Sequence, residues 1–142
     1  MELKYKSSIL LSIFRRKGGE GALTKIINSN NKFNYSVLEE EEQALILYEH
    51  DRENWLLLTN NRILEKKEKR LLSIYYCNLL TVRPAIEYEF RLGVMNKEEF
   101  TYLYVENYKY DGYILKVEQG QPYQGIYQVL HYIMSVNKPC KS

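Results

Sequence analysis

Two histidines, His50 and His131, and two cysteines, Cys77 and Cys140, are the residues of this sequence best suited to proton transfer, nucleophilic attack or soft-metal binding. His50 falls in a turn and His131 in the last helical segment. No G-x-S-x-G turn, H-E-x-x-H pair or kinase signature occurs. As zinc ligands, these residues would need a C-x-x-C or H-x₃₋₅-H spacing, which none of them has. Gly18-Gly19-Glu20-Gly21 has the glycine content of a phosphate loop, but no Gly-Lys-Ser/Thr follows, and Thr24-Lys25 runs in the wrong order. A hinge between helices accounts for it better. Glu87 and Glu89 share one face of a predicted strand, and that face reads as solvated. The patterns predict no catalytic residues, no metal and no cofactor, and so a protein that is not an enzyme.

Binding chemistry has more to draw on. Lys66, Lys67, Lys69 and Arg70 surround Glu68 in a charged turn, a candidate site for an anionic lipid or ligand. The first hairpin, His50-Asp51-Arg52-Glu53-Asn54, sets two acids beside one arginine and would repel a phosphate. Up-down parity places both turns at the same end of the fold. Arg15-Arg16-Lys17 follows the apolar run 9–14 and offers a second, weaker membrane-surface element. The chain also holds fourteen tyrosines against four phenylalanines. Phe100, Tyr102, Tyr104, Tyr108, Tyr110 and Tyr113 flank one hairpin, and tyrosine suits interfaces because it buries area while keeping a hydrogen bond. These tyrosines form either sheet wall or a protein-contact surface.

These residues must be held by elements that the hydropathy pattern outlines. Leu3, Leu10, Ile13 and Phe14 form a helical stripe before the glycines, and a second helix is predicted from Ala22 to about Asn28. Ser36 with Glu39 has the form of a capping box and predicts a short helix over the glutamates Glu39 to Glu42. From Gln43 the period becomes two. Strands are predicted at 44–49, 55–59, 62–64, 71–76, 86–92, 100–106 and 113–118. Asn60-Asn61 and Asp111-Gly112 serve as hairpin turns whose residues tolerate positive φ. The alternation over 86–92 puts Ile86, Tyr88, Phe90 and Leu92 on the inward face. A final helix begins at Gln121-Pro122, carries the stripe Ile126, Val129, Leu130, Ile133, and ends before Pro139. Gly125 costs that helix up to about 1 kcal/mol relative to alanine, which a close approach to the strands would explain.

Leu57-Leu58-Thr59-Asn60-Asn61-Arg62-Ile63-Leu64 resembles the LLTnxRI segment of the bacterial pleckstrin-homology-like family. Ser73-Ile74-Tyr75-Tyr76-Cys77-Asn78-Leu79 is similar to its SIPYsdI segment, with Tyr75 in place of the proline. The resemblance covers roughly residues 43–136. It implies seven strands forming a bent barrel capped by a C-terminal helix, a mainly β (α+β) fold. It also implies a tendency to bind or oligomerise, with no catalytic residues to carry over. Residues 1–42 then read as an N-terminal helical extension, 43–138 as the pleckstrin-homology-like domain and 139–142 as a tail.

The 142 residues suit one domain that buries enough surface to fold without staples. A formal charge of +2 excludes a dedicated nucleic-acid binder. The run 9–14 is too short for a signal peptide, and no stretch is long enough to span a bilayer, so a cytoplasmic location is expected. The cysteines do not suggest a secreted disulfide framework. The sequence therefore reads as a non-catalytic binding module acting by protein contact or self-assembly. One alternative is a peripheral anion or lipid binder using Lys66, Lys67, Lys69 and Arg70; another is a small inhibitor of the immunity-protein type.

Overall fold

A computed structural model describes residues 5–27 and 37–137. Helix α1 (Ser7–Lys17) buries Leu10, Ile13 and Phe14. Five antiparallel strands, β1 (Thr24–Ile26), β2 (Ala44–Asp51), β3 (Asn54–Thr59), β4 (Arg62–Lys67) and β5 (Arg70–Tyr75), follow and form a sheet in sequence order. A 3₁₀ turn (Tyr76–Asn78) turns the chain into a second antiparallel sheet of β6 (Leu79–Pro84), β7 (Tyr102–Asn107) and β8 (Gly112–Lys116). Between β6 and β7 lie helix α2 (Ile86–Arg91) and a second 3₁₀ turn (Lys97–Glu99). Helix α3 (Gln121–Val136) closes the fold, with Pro122 in its first turn. The protein is thus α+β, with two sheets of five and three strands. The expected single seven-stranded barrel is corrected: no closed barrel forms, and among the described residues no backbone ladder joins the sheets.

The main core lies between the sheets and beneath α1 and α3. Ile46, Tyr48, Leu56, Leu58, Ile63 and Ile74 face it from the first sheet, and Val82, Leu103, Val105 and Leu115 from the second. The predicted stripe of α3 is buried as expected. Leu47, Trp55, Leu57 and Leu64 form a smaller cluster on the opposite face of the first sheet. Burial on both faces explains why β3 reads as a continuous apolar run instead of alternating. Among the described residues before 43, α1 contributes to the main core, and β1 pairs with β2 from Thr24↔Tyr48 to Ile26↔Ile46. Gly125 is required by α1, not by the sheets, since a Cβ there would stand 2.6 Å from Cδ1 of Phe14.

Several local expectations are overturned. The helix expected from Ala22 is instead strand β1, whose entry is held by Glu118: its carboxylate accepts Ala22 N and Leu23 N at 2.9 Å and the Thr24 hydroxyl at 2.7 Å. Over Glu39 to Glu42 there is a turn with Glu41 at φ 65°, not a helix; Ser36 lies outside the described residues. The strand expected over 86–92 is α2, and Ile86, Phe90 and Leu92 point outward. Glu89, expected in solvent, is fully buried, and its Oε2 accepts Thr101 N and Tyr102 N at 2.7 Å each. Two charge-assisted bonds to the start of β7 outweigh a short alternating pattern. Strand β6 takes its place in the sheet. Both predicted hairpins exist, and the first turns at Asn60-Asn61 as expected. Thr59 Oγ1 accepts Asn61 N and Arg62 N at 3.0 and 2.9 Å, which closes the first without positive φ at either asparagine. In the second, Tyr110 takes the positive φ of 66°, while Gly112 makes room for the Tyr104 hydroxyl, 2.4 Å from where its Cβ would stand.

The two segments that resemble the bacterial family meet at one corner. Arg62 Nε and Nη2 bond the Glu42 carboxylate at 2.9 and 3.0 Å, Nη2 also reaches Val37 O at 2.8 Å, and Nη1 donates to Ser73 Oγ at 3.1 Å. Thr59 Oγ1 donates to Glu42 at 2.6 Å, and the buried Tyr76 hydroxyl donates to Thr59 O at 2.6 Å. Tyr76 N reaches Asn61 O at 3.0 Å. These residues secure the passage from the first sheet to the second. Cys77, in that passage, is disulfide-bonded, a bond that the cysteine pattern of the sequence did not suggest; Cys140 lies outside the described residues.

Candidate functional site

The β2–β3 and β4–β5 turns do leave the first sheet at the same end. Asn54 pairs with Lys67, and Glu68 N donates to Glu53 O at 2.7 Å. Between this end and the second sheet lies a cleft of about 220 Å³. Tyr48 and His50 line it from β2, Glu65 and Lys67 from β4, Tyr102 from β7 and Lys116 from β8.

The cleft exists because side chains, not a backbone ladder, bridge β4 to the free edge of β8. Glu65 Oε2 accepts Lys116 N at 3.0 Å, and Lys67 Nζ donates to Ile114 O at 3.4 Å. Glu65 is only 2% exposed, and its Oε1 has no hydrogen-bond partner. Burial raises its carboxyl above the ordinary value, against the opposing pull of the Lys116 N–H, Lys67 and Arg70. Lys116 Nζ donates to Thr101 Oγ1 at 2.9 Å and sits 4.5 Å from the centre of the Tyr102 ring. Burial lowers its pKa, and the nearby Lys67 ammonium pushes the same way while Glu89 opposes. Among the described residues, neither Lys67 nor Lys116 lies within ion-pair distance of a carboxylate. Burial also raises the Tyr48 and Tyr102 hydroxyls, so both stay protonated as hydrogen-bond donors at neutral pH. Glu89 places Tyr102 by gripping its backbone N–H, and Tyr88 packs edge-on to the Tyr102 ring at 4.8 Å.

The predicted basic site comes together only in part. Lys66 and Lys67 both line the cleft, but Lys66 Nζ is paired with Glu53 at 3.2 Å. Lys69 and Arg70 are exposed on the turn, beside Glu68 at φ 54°. The tyrosines do not form one surface. Tyr102 lines the cleft, Tyr113 packs against the core, and Tyr104 lies beneath Arg83, its ring centre 4.3 Å away, with its hydroxyl on Glu106 at 2.7 Å. Tyr108 and Tyr110 are exposed, the latter at 76%. Sequence reasoning passed over Glu65 and Lys116, which no motif marks. The signal that could have found Glu65 is parity: it is the inward residue between Ile63 and Lys67 on a strand of period two.

A separate surface carries Ile86 and Phe90 on α2 with Leu92 and Met95 beyond it, all 45–63% exposed. Arg16 and Lys17 border a shallow hollow with Lys97 and the start of α3. Among the described residues no three His, Cys, Asp or Glu side chains converge as a metal site, and no helix is long and apolar enough to cross a membrane. His131 is a partner of the Tyr127 ring, centroids 5.8 Å apart. No protein-family model, curated protein or solved structure matches the chain.

Proposed function

We propose that this chain is a non-catalytic binding module of pleckstrin-homology-like build, which holds a small anionic ligand in the cleft between its sheets. The build is supported by element order, since β2 to β8 are seven strands followed by a terminal helix, with β1 and α1 added. The observation that carries the ligand reading is the convergence of Lys67 and Lys116 on one cavity, with no carboxylate among the described residues in an ion pair with either. Two ammonium groups that disfavour each other in a half-buried cleft are relieved by an anion between them. The Tyr48 and Tyr102 rings would flank it. The test is an amide NMR titration with acetate and with inorganic phosphate at low salt. Saturable shifts at Thr101, Tyr102 and Lys116 that disappear in Lys67→Met and Lys116→Met support the site. No shift at these amides at millimolar anion defeats it.

A second reading, protein contact or self-assembly, is favoured by the exposed Ile86, Phe90, Leu92 and Met95, four large apolar side chains within ten residues of the chain. Its contact lies on α2, not on the tyrosines that flank Gly112. Sedimentation of the wild type and of Phe90→Asp distinguishes a self-association that the substitution abolishes from a monomer at all concentrations.

A further inference from the structure

Tyr102 and Lys116, two of the residues that line the cleft, pair across β7 and β8 on the face of the second sheet that turns away from the core. The core side of the same strands is Leu103, Val105 and Leu115. The next row of the outer face, in register, is Arg83, Tyr104 and Ile114. Arg83 is exposed and, among the described residues, in no ion pair; its guanidinium carbon stands 4.3 Å from the centre of the Tyr104 ring. Gly112 lets that ring settle onto β8, since a Cβ there would stand 2.4 Å from the hydroxyl and 2.7 Å from Cε1. A guanidinium backed by an aromatic ring is a planar cationic surface on which a nucleobase stacks. Charge orders this face along β7. Lys67 and Lys116 mark the cleft end, and the Glu106 carboxylate, which accepts the Tyr104 hydroxyl at 2.7 Å, marks the other. An anion is thus drawn to the cleft end alone. At about 220 Å³ the cleft falls short of a pocket that encloses a whole nucleotide-sized ligand, so part of such a ligand must lie outside it. Tyr102 to Tyr104 is two residues of strand, about 6.7 Å, a span that one ribose bridges between its phosphate and its base.

Resting on the anion-binding reading above, we propose that the ligand is a nucleoside monophosphate, with its phosphate between Lys67 and Lys116 and its base stacked on the Arg83 guanidinium. The lysines supply the affinity that every small phosphate shares, and Arg83 with Tyr104 selects for the base. Glu65 in the cleft wall and Glu106 beyond the Arg83–Tyr104 pair oppose a second phosphate at either end of the ligand, which restricts the site to a monophosphate.

Inorganic phosphate, ribose 5-phosphate and AMP add in turn the anion, the sugar and the base. Calorimetry with this series, together with NMR of the Lys116 amide and the Arg83 Nε–H, tests the proposal. AMP should bind about tenfold or more tightly than ribose 5-phosphate, the worth of one stacked base. All three should shift the Lys116 amide, and AMP alone should move the Arg83 Nε–H upfield, under the ring current of the base. The double variant Arg83→Ala, Tyr104→Ala should bring AMP to within about twofold of ribose 5-phosphate. Lys67→Met should weaken all three together. If AMP equals ribose 5-phosphate in the wild type, or shifts Lys116 while leaving Arg83 unmoved, the anion site stands and the base claim is overturned. If 5′-phosphorylated diadenylate binds about tenfold or more tightly than AMP, the ligand is a strand and the monophosphate claim is overturned. If no member of the series shifts Lys116, the anion-binding reading itself has failed. The wild-type series decides the matter even if a variant does not fold.

Discussion

Replacing Arg62 with methionine isolates the structural corner from the binding cleft. The substitution removes the guanidinium from Glu42, Val37 O and Ser73 but keeps a side chain of similar length. The Glu42 side chain has no exposed area, so it is left as a buried charge supported only by Thr59 Oγ1 and Glu39 N. Breaking a buried pair from one side costs about 3–5 kcal/mol, a large part of the roughly 5–15 kcal/mol available to a domain. For a chain near this size the melting temperature should fall by about 10–15 °C. Burial alone would raise the Glu42 carboxyl, but the Arg62 bond, the backbone bond at Glu39 and the Thr59 hydroxyl hold it below its usual value. That lowered value means the wild-type contribution is present above the ordinary carboxylate pKa and is lost as pH falls through the folded one. In Arg62→Met burial prevails, the carboxyl rises, and the variant recovers as it protonates. Thermal and urea melts followed by circular dichroism should therefore show a gap that is wide at neutral pH and narrows below the usual glutamate pKa of about 4.3. Adding Glu42→Gln to Arg62→Met should restore part of the loss. A gap under about 1 kcal/mol, or one that does not change with pH, would refute the buried-charge reasoning.

Other outcomes follow from the same geometry. Glu65→Gln should stabilise the protein by about 1–2 kcal/mol at neutral pH, because it removes a desolvated charge. The raised carboxyl, facing Lys67, Arg70 and the Lys116 N–H, contributes stability below its unfolded pKa and loses it as pH rises through the folded value; melts in acid should thus show no such gain. Gly125→Ala should destabilise by about 1–3 kcal/mol despite better helix propensity, since its Cβ meets Phe14 at 2.6 Å; a rise in melting temperature would contradict the close α1–α3 approach. Glu118→Gln should speed hydrogen exchange at Ala22 and Leu23 while leaving β3 protected, and unchanged exchange would show that the carboxylate does not hold β1.

What the sequence made legible was local. The α3 stripe, the α1 stripe and the β2–β5 meander all rest on patterns within a single element, and each was found where expected. The misreadings share a different cause, bonds made across long chain separations. Ile86 to Leu92 alternates like a strand, but Glu89 binds the backbone at Thr101 and Tyr102, and this sets a helix there. Glu65 stands in the charged run Glu65-Lys66-Lys67-Glu68-Lys69-Arg70, which reads as solvated turn; its burial is decided by β8, fifty-one positions away at Lys116. The resemblance at Thr59 and Arg62 picked out residues that the structure uses to join its sheets, and these contribute nothing to the cleft.

A crystal structure of the protein grown with acetate tests the binding account most directly. The account predicts density for acetate in the cleft, with its carboxylate between the Lys67 and Lys116 ammonium groups. Water alone in that cleft, at concentrations that saturate no other site, would contradict it.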